Sequence, residues 1–306
     1  MRITQSMLSN NYMNGLNKSA VNLDKAFRQM SAEKRIFRLS DDPIGMGTSL
    51  VARAQLKKME QYTNNIHDAK SWLDATESSL SIINETIKDA YVRTVNMANG
   101  ANSQSDREAV ASELEQLRDQ VVSQLNSQYG ERFIFGGYNV GIKPFEYNAG
   151  ELLYNGINIE DLTEIEIAQE QRLSYEIGMG EIMEVSVTGP DFLLHGGTNL
   201  IATFDKTINE LRNPSNPSEL NVNVFLEAQD EIVREMQQIG GKQNRLDLVL
   251  DKYDKDGFNL AGVVSRIEDM SLDEASIEFA KAQSLYQASL AIGAKLMQPS
   301  LLDYLR

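Results

Sequence analysis

Apolar or small residues between Ile66 and Met97 recur at alternating steps of three and four: Ile66, Ala69, Leu73, Thr76, Leu80, Ile83, Ile87, Ala90, Thr94 and Met97. That spacing is the seam of a helix packed lengthwise on other helices. Ser40-Asp41-Asp42-Pro43 supplies its start. Asp42 can accept bonds from the first free backbone N–H groups, and Pro43 fits the first turn. A helix from Pro43 to Met97 would run roughly 80 Å at 1.5 Å per residue. Such a helix predicts a rod.

The same periodicity marks the flanks. Met13, Leu16, Ala20, Leu23, Phe27 and Met30 form a narrow stripe, and a helix with so little apolar surface needs a partner. Lys34 to Leu39 reads as a basic connector. After a turn at Asn99–Ser103, a helix restarts at Ser105 or Asp106 with Val110, Leu114, Leu117, Val121 and Leu125 inward, ending near Gly130. The short turn predicts antiparallel neighbours. Further on, a helix spans Leu200 to Leu211 and breaks at Asn213-Pro214-Ser215-Asn216-Pro217. Another runs from near Ser218 to about Tyr253 through Phe225, Ile232, Met236, Ile239 and Leu246. Asp256-Gly257 reads as a local interruption before Leu260, Val263, Val264 and Ile267 resume the spacing. The last helix starts at Ser271 with Glu274 completing a capping box. It carries Ala275, Phe279, Ala282, Tyr286, Ile292 and Leu296, and ends at about Pro299.

Between these arms the period changes to two. Arg132-Phe133-Ile134-Phe135-Gly136-Gly137 reads as a strand running into a glycine turn. Asn155-Gly156 between Leu152–Tyr154 and Ile157–Ile159 is a hairpin signal. Thr163-Glu164-Ile165-Glu166-Ile167 and Met183–Thr188 alternate, while Gly189-Pro190 and Gly196-Gly197 read as turns. The predicted fold class is mainly α with a β insertion: a long antiparallel coiled-coil rod of N- and C-terminal arms plus a small β-rich outer domain. Three parts follow: terminal coiled-coil helices at 1–40 and 271–306, a helical rod with a short β-hairpin at 41–137 and 200–270, and a β-rich insertion at 138–199.

Composition changes this picture little. A mean hydropathy of -0.36 and 42% hydrophobic residues are ordinary for a water-soluble chain, and no apolar run is long enough to cross a bilayer. The N-terminus lacks the apolar core of a secretory signal. With no cysteine, disulfides and thiolate metal sites are excluded. The net charge of -15 is uneven. Residues 1–40 carry seven Lys/Arg against Asp24 and Glu33, a balance of +5, while 138–200 hold eleven acids against Lys143 and Arg172. The basic residues are dispersed among helix positions, which favours a solvated face or one meeting acidic neighbours over nucleic-acid binding.

No catalytic, cofactor or metal site emerges. His67 and His195 are lone histidines, more often structural than functional. Lys252–Gly257 resembles a calcium loop, but Lys252 and Val263 would occupy ligand positions. Gly240-Gly241-Lys242-Gln243 lacks the leading glycine and hydroxyl of a phosphate loop. Glu164 and Glu166 fall on one solvated strand face. This is not an enzyme's sequence.

Several segments taken together carry a resemblance. Met1-Arg2-Ile3-Thr4, Lys34-Arg35-Ile36 and Ser40-Asp41-Asp42-Pro43 resemble the N-terminal region of the flagellin superfamily, its hook–filament junction branch in particular. Phe133–Gly137 followed by Pro144-Phe145 is similar to that family's exit from its helical core. So are Ile239-Gly240 with Asn244-Arg245-Leu246, Ile267-Glu268-Asp269, and the closing Ser300–Leu305. The resemblance covers about residues 1–145 and 200–306. It implies a structural flagellar protein at the junction, seeding flagellin assembly; filament flagellin shares both arms, and a coiled-coil surface adaptor or adhesin is the alternative of another class. It implies that Met13–Met30 and Ala275–Leu296 are assembly surfaces, disordered in the free subunit. Implied partners are hook-associated protein 1, flagellin, further copies of the chain in a ring, and a cytoplasmic export chaperone on the C-terminal helix. Implied too are no cofactor, no membrane contact, and export through the flagellar type III channel to an extracellular site. Ala32-Glu33 stands where the family usually carries Ser/Thr-Gly, which implies that the first helix runs on further.

Overall fold

A computed structural model describes residues 5–98, 103–148, 150–162, 172–195, 198–213 and 222–296. Two compact units divide the chain: Met1–Lys58 with Lys255–Arg306, and Met59–Asp254. The helices are α1 (Gln5–Ala32), α2 (Pro43–Ala98), α3 (Gln104–Leu125), α4 (Gly189–Leu193), α5 (Leu200–Arg212), α6 (Asn223–Glu268) and α7 (Leu272–Leu296). Short antiparallel strands pair as β1 (Gln128–Tyr129) with β2 (Arg132–Phe133), β3 (Phe145–Asn148) with β4 (Glu151–Tyr154), and β4 with β5 (Ile157–Asn158). β6 (Ser174–Gly178) pairs with β7 (Glu181–Glu184), and β8 (Leu194–His195) with β9 (Thr198–Asn199).

The unit formed by residues 59–254 is built on the seam of α2. Ile66, Ala69, Leu73, Leu80, Ile83, Ile87 and Ala90 are all removed from water, as are Thr76 and Thr94. Those threonines satisfy their hydroxyls locally, Thr76 donating to the Trp72 carbonyl and Thr94 to that of Ala90, both at 2.8 Å. Phe225, Ile232, Ile239 and Leu246 of α6 are buried at the same heptad spacing, as are Leu114, Val121 and Leu125 of α3. Burying one such side chain stabilises by about 1.5–3 kcal/mol, so this seam holds the unit together. Phe204 of α5 meets Phe225 edge-on at 5.0 Å.

The β segment joins this core. Phe135 meets Phe192 at 5.5 Å, and Phe145 meets Tyr154 at 5.0 Å. Arg118 of α3 donates to Asp205 of α5 at 2.6 Å and stacks over the Tyr147 ring at 4.4 Å. Tyr147 also donates to Asp205. Burial and then that carboxylate push the Tyr147 phenol up to about 12.

Several expectations are corrected. Ser103, rather than Ser105 or Asp106, caps α3 in a reciprocal box with Asp106, and α3 stops at Leu125, short of Gly130. α6 runs unbroken for 46 residues through Asp256-Gly257, because a single glycine costs a helix only about 1 kcal/mol. The Lys252–Gly257 and Gly240–Gln243 stretches are therefore turns of that helix, not ligand loops. The strand at Arg132 holds only two residues; Ile134 and Phe135 leave it and turn inward. Val185, Ser186, Val187 and Thr188 are all buried, so the alternation there marks no solvated face. Gly189-Pro190 opens α4 rather than a turn, with Asp191 bonding back to the Thr188 N–H and hydroxyl. The Asn155-Gly156 hairpin is as expected, both residues having positive φ. Thr163–Ile167, Gly196-Gly197, Asn99–Asn102, Pro214–Pro217, Met1–Thr4 and Pro299–Leu305 lie outside the described residues.

Gly189 is buried where a Cβ would overlap the Phe145 ring. We expect Gly189→Ala to destabilise this unit by about 1–3 kcal/mol through overpacking. Urea unfolding measures it, and an unchanged midpoint would mean that the ring moves aside freely.

Candidate assembly surface

The unit made of residues 1–58 and 255–306 is held differently. Among the described residues its buried hydrophobic side chains are Ala26, Ile36, Ala52 and Ala275. α1 and α7 pack antiparallel, Phe27 lying 6.1 Å from Phe279 and Tyr12 filling the space left by Gly293. A groove of about 440 Å³ runs between them, lined by Ser19, Asn22, Lys25, Gln29, Glu278 and Lys281 together with Ala26, Met270, Ala282 and Leu285. The seam is thin.

Hydrogen bonds compensate at the connectors. α1 stops because Glu33 turns left-handed, at φ 52, and the Lys34 N–H reaches back to the Gln29 carbonyl at 3.2 Å. That is the helix stop glycine usually provides, so the first helix does not run on as expected. Glu33 then accepts from the Met270 N–H at 2.9 Å, and the Arg35 N–H donates to the Glu268 carbonyl at 2.7 Å. The Arg35 guanidinium adds a bond to the Ile267 carbonyl at 2.8 Å, where the last carbonyls of α6 lack helical partners.

The Glu268 carboxylate sits at the centre. Glu268 is only 3% exposed. It accepts from Arg53 through Nε at 2.7 Å and through Nη2, from the Ser49 hydroxyl, and from Lys34 Nζ at 3.3 Å. A bidentate guanidinium is the strongest such partner, and chiefly through it the Glu268 carboxyl falls from 4.5 to about 2 despite opposing burial. Nearby, Asp41 accepts from Lys25 at 2.9 Å and from the N–H groups of Phe37 and Arg38. The Lys25 bond, more than these, holds Asp41 below its usual range. Asp42 caps α2 through the Gly45 N–H at 3.0 Å, and Pro43 opens the helix.

The anticipated assembly residues divide by position. Leu16, Ala20, Leu23, Met30, Phe279, Ala282 and Tyr286 are half-buried and Ala275 is buried, while Met13, Phe27 and Ile292 stay largely exposed. The side chain of Leu296 lies outside the described residues. A second set was not anticipated: Val21 (66% exposed), Ile277 (56%) and Leu285 (64%), with Met7, Leu8, Leu272 and Leu290. Their signal was present as apolar residues lying off the three–four stripe of each terminal helix. The other marked residues serve structure: Phe135, Gly136 and Gly137 are buried, Gly137 at φ 65, Phe133 is half-buried, and Arg245 pairs with Glu181. Ser40 and Asn244 are exposed, as is His67. The Glu164/Glu166 pair lies outside the described residues. No described helix is long and apolar enough to cross a membrane.

Long heptad helices, a β segment and antiparallel terminal helices that leave apolar side chains exposed make a mainly helical chain with a β insertion. Residues 3–140 match the bacterial flagellin N-terminal helical region, and residues 223–305 match the bacterial flagellin C-terminal helical region. The chain belongs to the flagellin family. It is 29% identical to flagellar hook-associated protein 3 of Escherichia coli (strain K12) over 251 residues, 82% of this chain and 77% of that one. Against flagellar hook-associated protein 3 of Salmonella typhimurium it is 33% identical over 151 residues, about half of each chain. The flagellin of Bacillus subtilis (strain 168) is 24% identical over 97% of both. The fold is that of the flagellar junction protein FlgL from Legionella pneumophila, at a TM-score of 0.58 and 13% identity, covering 73% of this chain and all of that one.

Glu268 titrates lower folded than unfolded, so its contribution, on the order of 3 kcal/mol, is present above pH 4.5 and is lost as the pH falls towards about 2. We expect helical content to drop across that window, and Glu268→Gln to abolish the step while weakening the unit at neutral pH. Circular dichroism against pH reads both. An acid transition identical in the variant would assign the step elsewhere.

Proposed function

We propose that this chain is a structural subunit of the bacterial flagellum that joins hook to filament and seeds flagellin assembly. The observation that carries the reading is the paired terminal helices with an uncovered apolar face, in a chain alignable over most of its length with a hook-associated protein 3. Exposed apolar side chains such as Val21 and Ile277 would draw stability from neighbouring subunits, since apolar residues left open on paired helices suit an interaction site. In this reading copies of the chain form a ring, with hook-associated protein 1 on the cell side and flagellin on the outer side. The thin α1–α7 seam suits passage through the flagellar type III channel to the cell exterior. The strip Leu285, Leu290 and Ile292 is where a cytoplasmic export chaperone would sit. The role calls for no catalysis.

Filament flagellin is the second reading, favoured by the near full-length alignment with the Bacillus subtilis flagellin. Antibody-labelled electron microscopy of flagella separates the two: a single band between hook and filament is expected, and label along the filament would make the chain a flagellin. We further expect Val21→Asp and Ile277→Asp, both at exposed positions, to leave the helix content of the isolated chain within about 5% while abolishing that band. Leu23→Asp and Phe279→Asp, at half-buried positions, should separate α1 from α7 instead. Normal incorporation of the Val21 and Ile277 variants would remove these residues from the assembly.

A further inference from the structure

A second cavity, of about 180 Å³, lies where the connector between α1 and α2 folds against α1. Val21 and Phe37 give it apolar lining, and Arg28 and Arg38 give it guanidinium groups. Most of its charges are already matched. Lys25 pairs with Asp41 at 2.9 Å, and Arg28 pairs with Asp24. Asp41 also accepts from the N–H groups of Phe37 and Arg38. The Arg38 guanidinium is left over: it is exposed and has no carboxylate partner among the described residues. Along the same stretch Val21, Phe37, Leu39 and Ile44 all stand open to water, Ile44 to 84%. We propose that this cavity receives a carboxylate-bearing side chain and its apolar neighbour from residues 59–254 of a second copy of the chain. The inference rests on the reading of the chain as a self-assembling subunit and names one contact through which a copy meets the next.

Size, chemistry and charge each narrow the occupant. Pockets that hold small molecules measure roughly 300–1,000 Å³, so a cavity of this volume suits one or two anchoring side chains. Such anchors carry most of the energy of a protein interface. An uncommitted guanidinium in a cavity walled by valine and phenylalanine selects an anion flanked by apolar surface, and a carboxylate matches the fork of its N–H groups. Charge then points to the source. Residues 59–254 sum to -19, against +4 for the unit that carries the cavity. Two copies meeting through residues 59–254 of both would set like charges together. The cavity of one copy against the acidic unit of another sets opposite charges together. That contact joins two different surfaces, so each copy keeps one of them free for the next. It propagates round a ring or along a helix and does not close as a two-fold pair.

Photo-crosslinking of the full chain on intact cells producing it tests this, with Phe37→p-benzoylphenylalanine placing a reactive aromatic where an aromatic already stands. Illumination is expected to give a dimer-sized product whose peptide map joins position 37 to residues 59–254 of the second copy. Adding Arg38→Glu should lower its yield roughly fivefold or more, while Arg38→Lys, which keeps the charge, should retain most of it. Arg38 is exposed, so neither change opens a core, and circular dichroism of the purified variants checks that the helices persist. A crosslink confined to the same chain would overturn the inference. So would one landing on residues 1–58 or 255–306 of a second copy or on another protein, the absence of any dimer-sized product, or a yield unchanged by Arg38→Glu. Any of these results beside a normal band between hook and filament would refute this inference alone. The expected crosslink with label along the whole filament would leave the contact standing and refute only the junction reading.

Discussion

One carboxylate, nearly stripped of water, constrains the unit that holds both termini. Glu268 keeps its charge chiefly through Arg53, with Ser49 and Lys34 also reaching it. Removing one member of a buried ion pair costs about 3–5 kcal/mol, whereas forming the pair contributes far less than its Coulomb energy suggests. The interaction is therefore better at excluding wrong arrangements than at adding stability. It draws Lys34 of one connector to the end of α6, beside the backbone bonds that join the two connectors. With four small or single buried apolar side chains nearby, little else in the unit specifies that geometry.

The unit of residues 59–254 solves the same problem in the opposite way. Its seam is continuous and apolar, its threonines return their hydroxyls to their own helix, and its main charged cluster, Arg118 with Asp205 and Tyr147, ties α3 to α5 and β3 at the edge of the core. Charge follows the same division. Residues 1–58 with 255–306 sum to +4, which leaves -19 for residues 59–254. A strongly acidic surface discourages two such units from associating with each other. The unit that holds both termini is nearly balanced in charge and leaves several apolar side chains exposed.

What could be read from the sequence follows from how local each interaction is. The α2 seam was legible residue by residue, from Ile66 to Thr94, because a heptad needs only its own spacing to declare itself. The α2 cap and the Ser271 start of α7 were legible for the same reason. The burial of Val185–Thr188 was not, since alternation cannot reveal that both strand faces are covered. Nor was the role of Glu268. Its partners Lys34 and Ser49 lie more than two hundred residues away, and Ile267-Glu268-Asp269 alone looks like an ordinary helix end. The terminal stripes were found as patterns, but periodicity could not divide covered from open positions: Leu23 and Val21 are both apolar and two residues apart, yet one is half-buried and the other exposed.

Glu33 shows how such long-range bonds override local preference. A left-handed glutamate costs roughly 1 kcal/mol more than a glycine there, and Ala32-Glu33 in place of the family's Ser/Thr-Gly pair implied that the helix continues. The helix stops all the same. The Lys34 N–H has the Gln29 carbonyl behind it, and the Glu33 carbonyl has the Met270 N–H ahead of it. A helix extended through Lys34 would forfeit the bonds to Met270 and from Arg35, and would carry Lys34 away from Glu268. Two backbone bonds of about 1 kcal/mol each, with the neutralisation of a buried charge, outweigh the strain. The glutamate at this position is thus held by its partners rather than by its own propensity. A terminal helix that stops on borrowed stability is one whose anchorage depends on the opposite end of the chain.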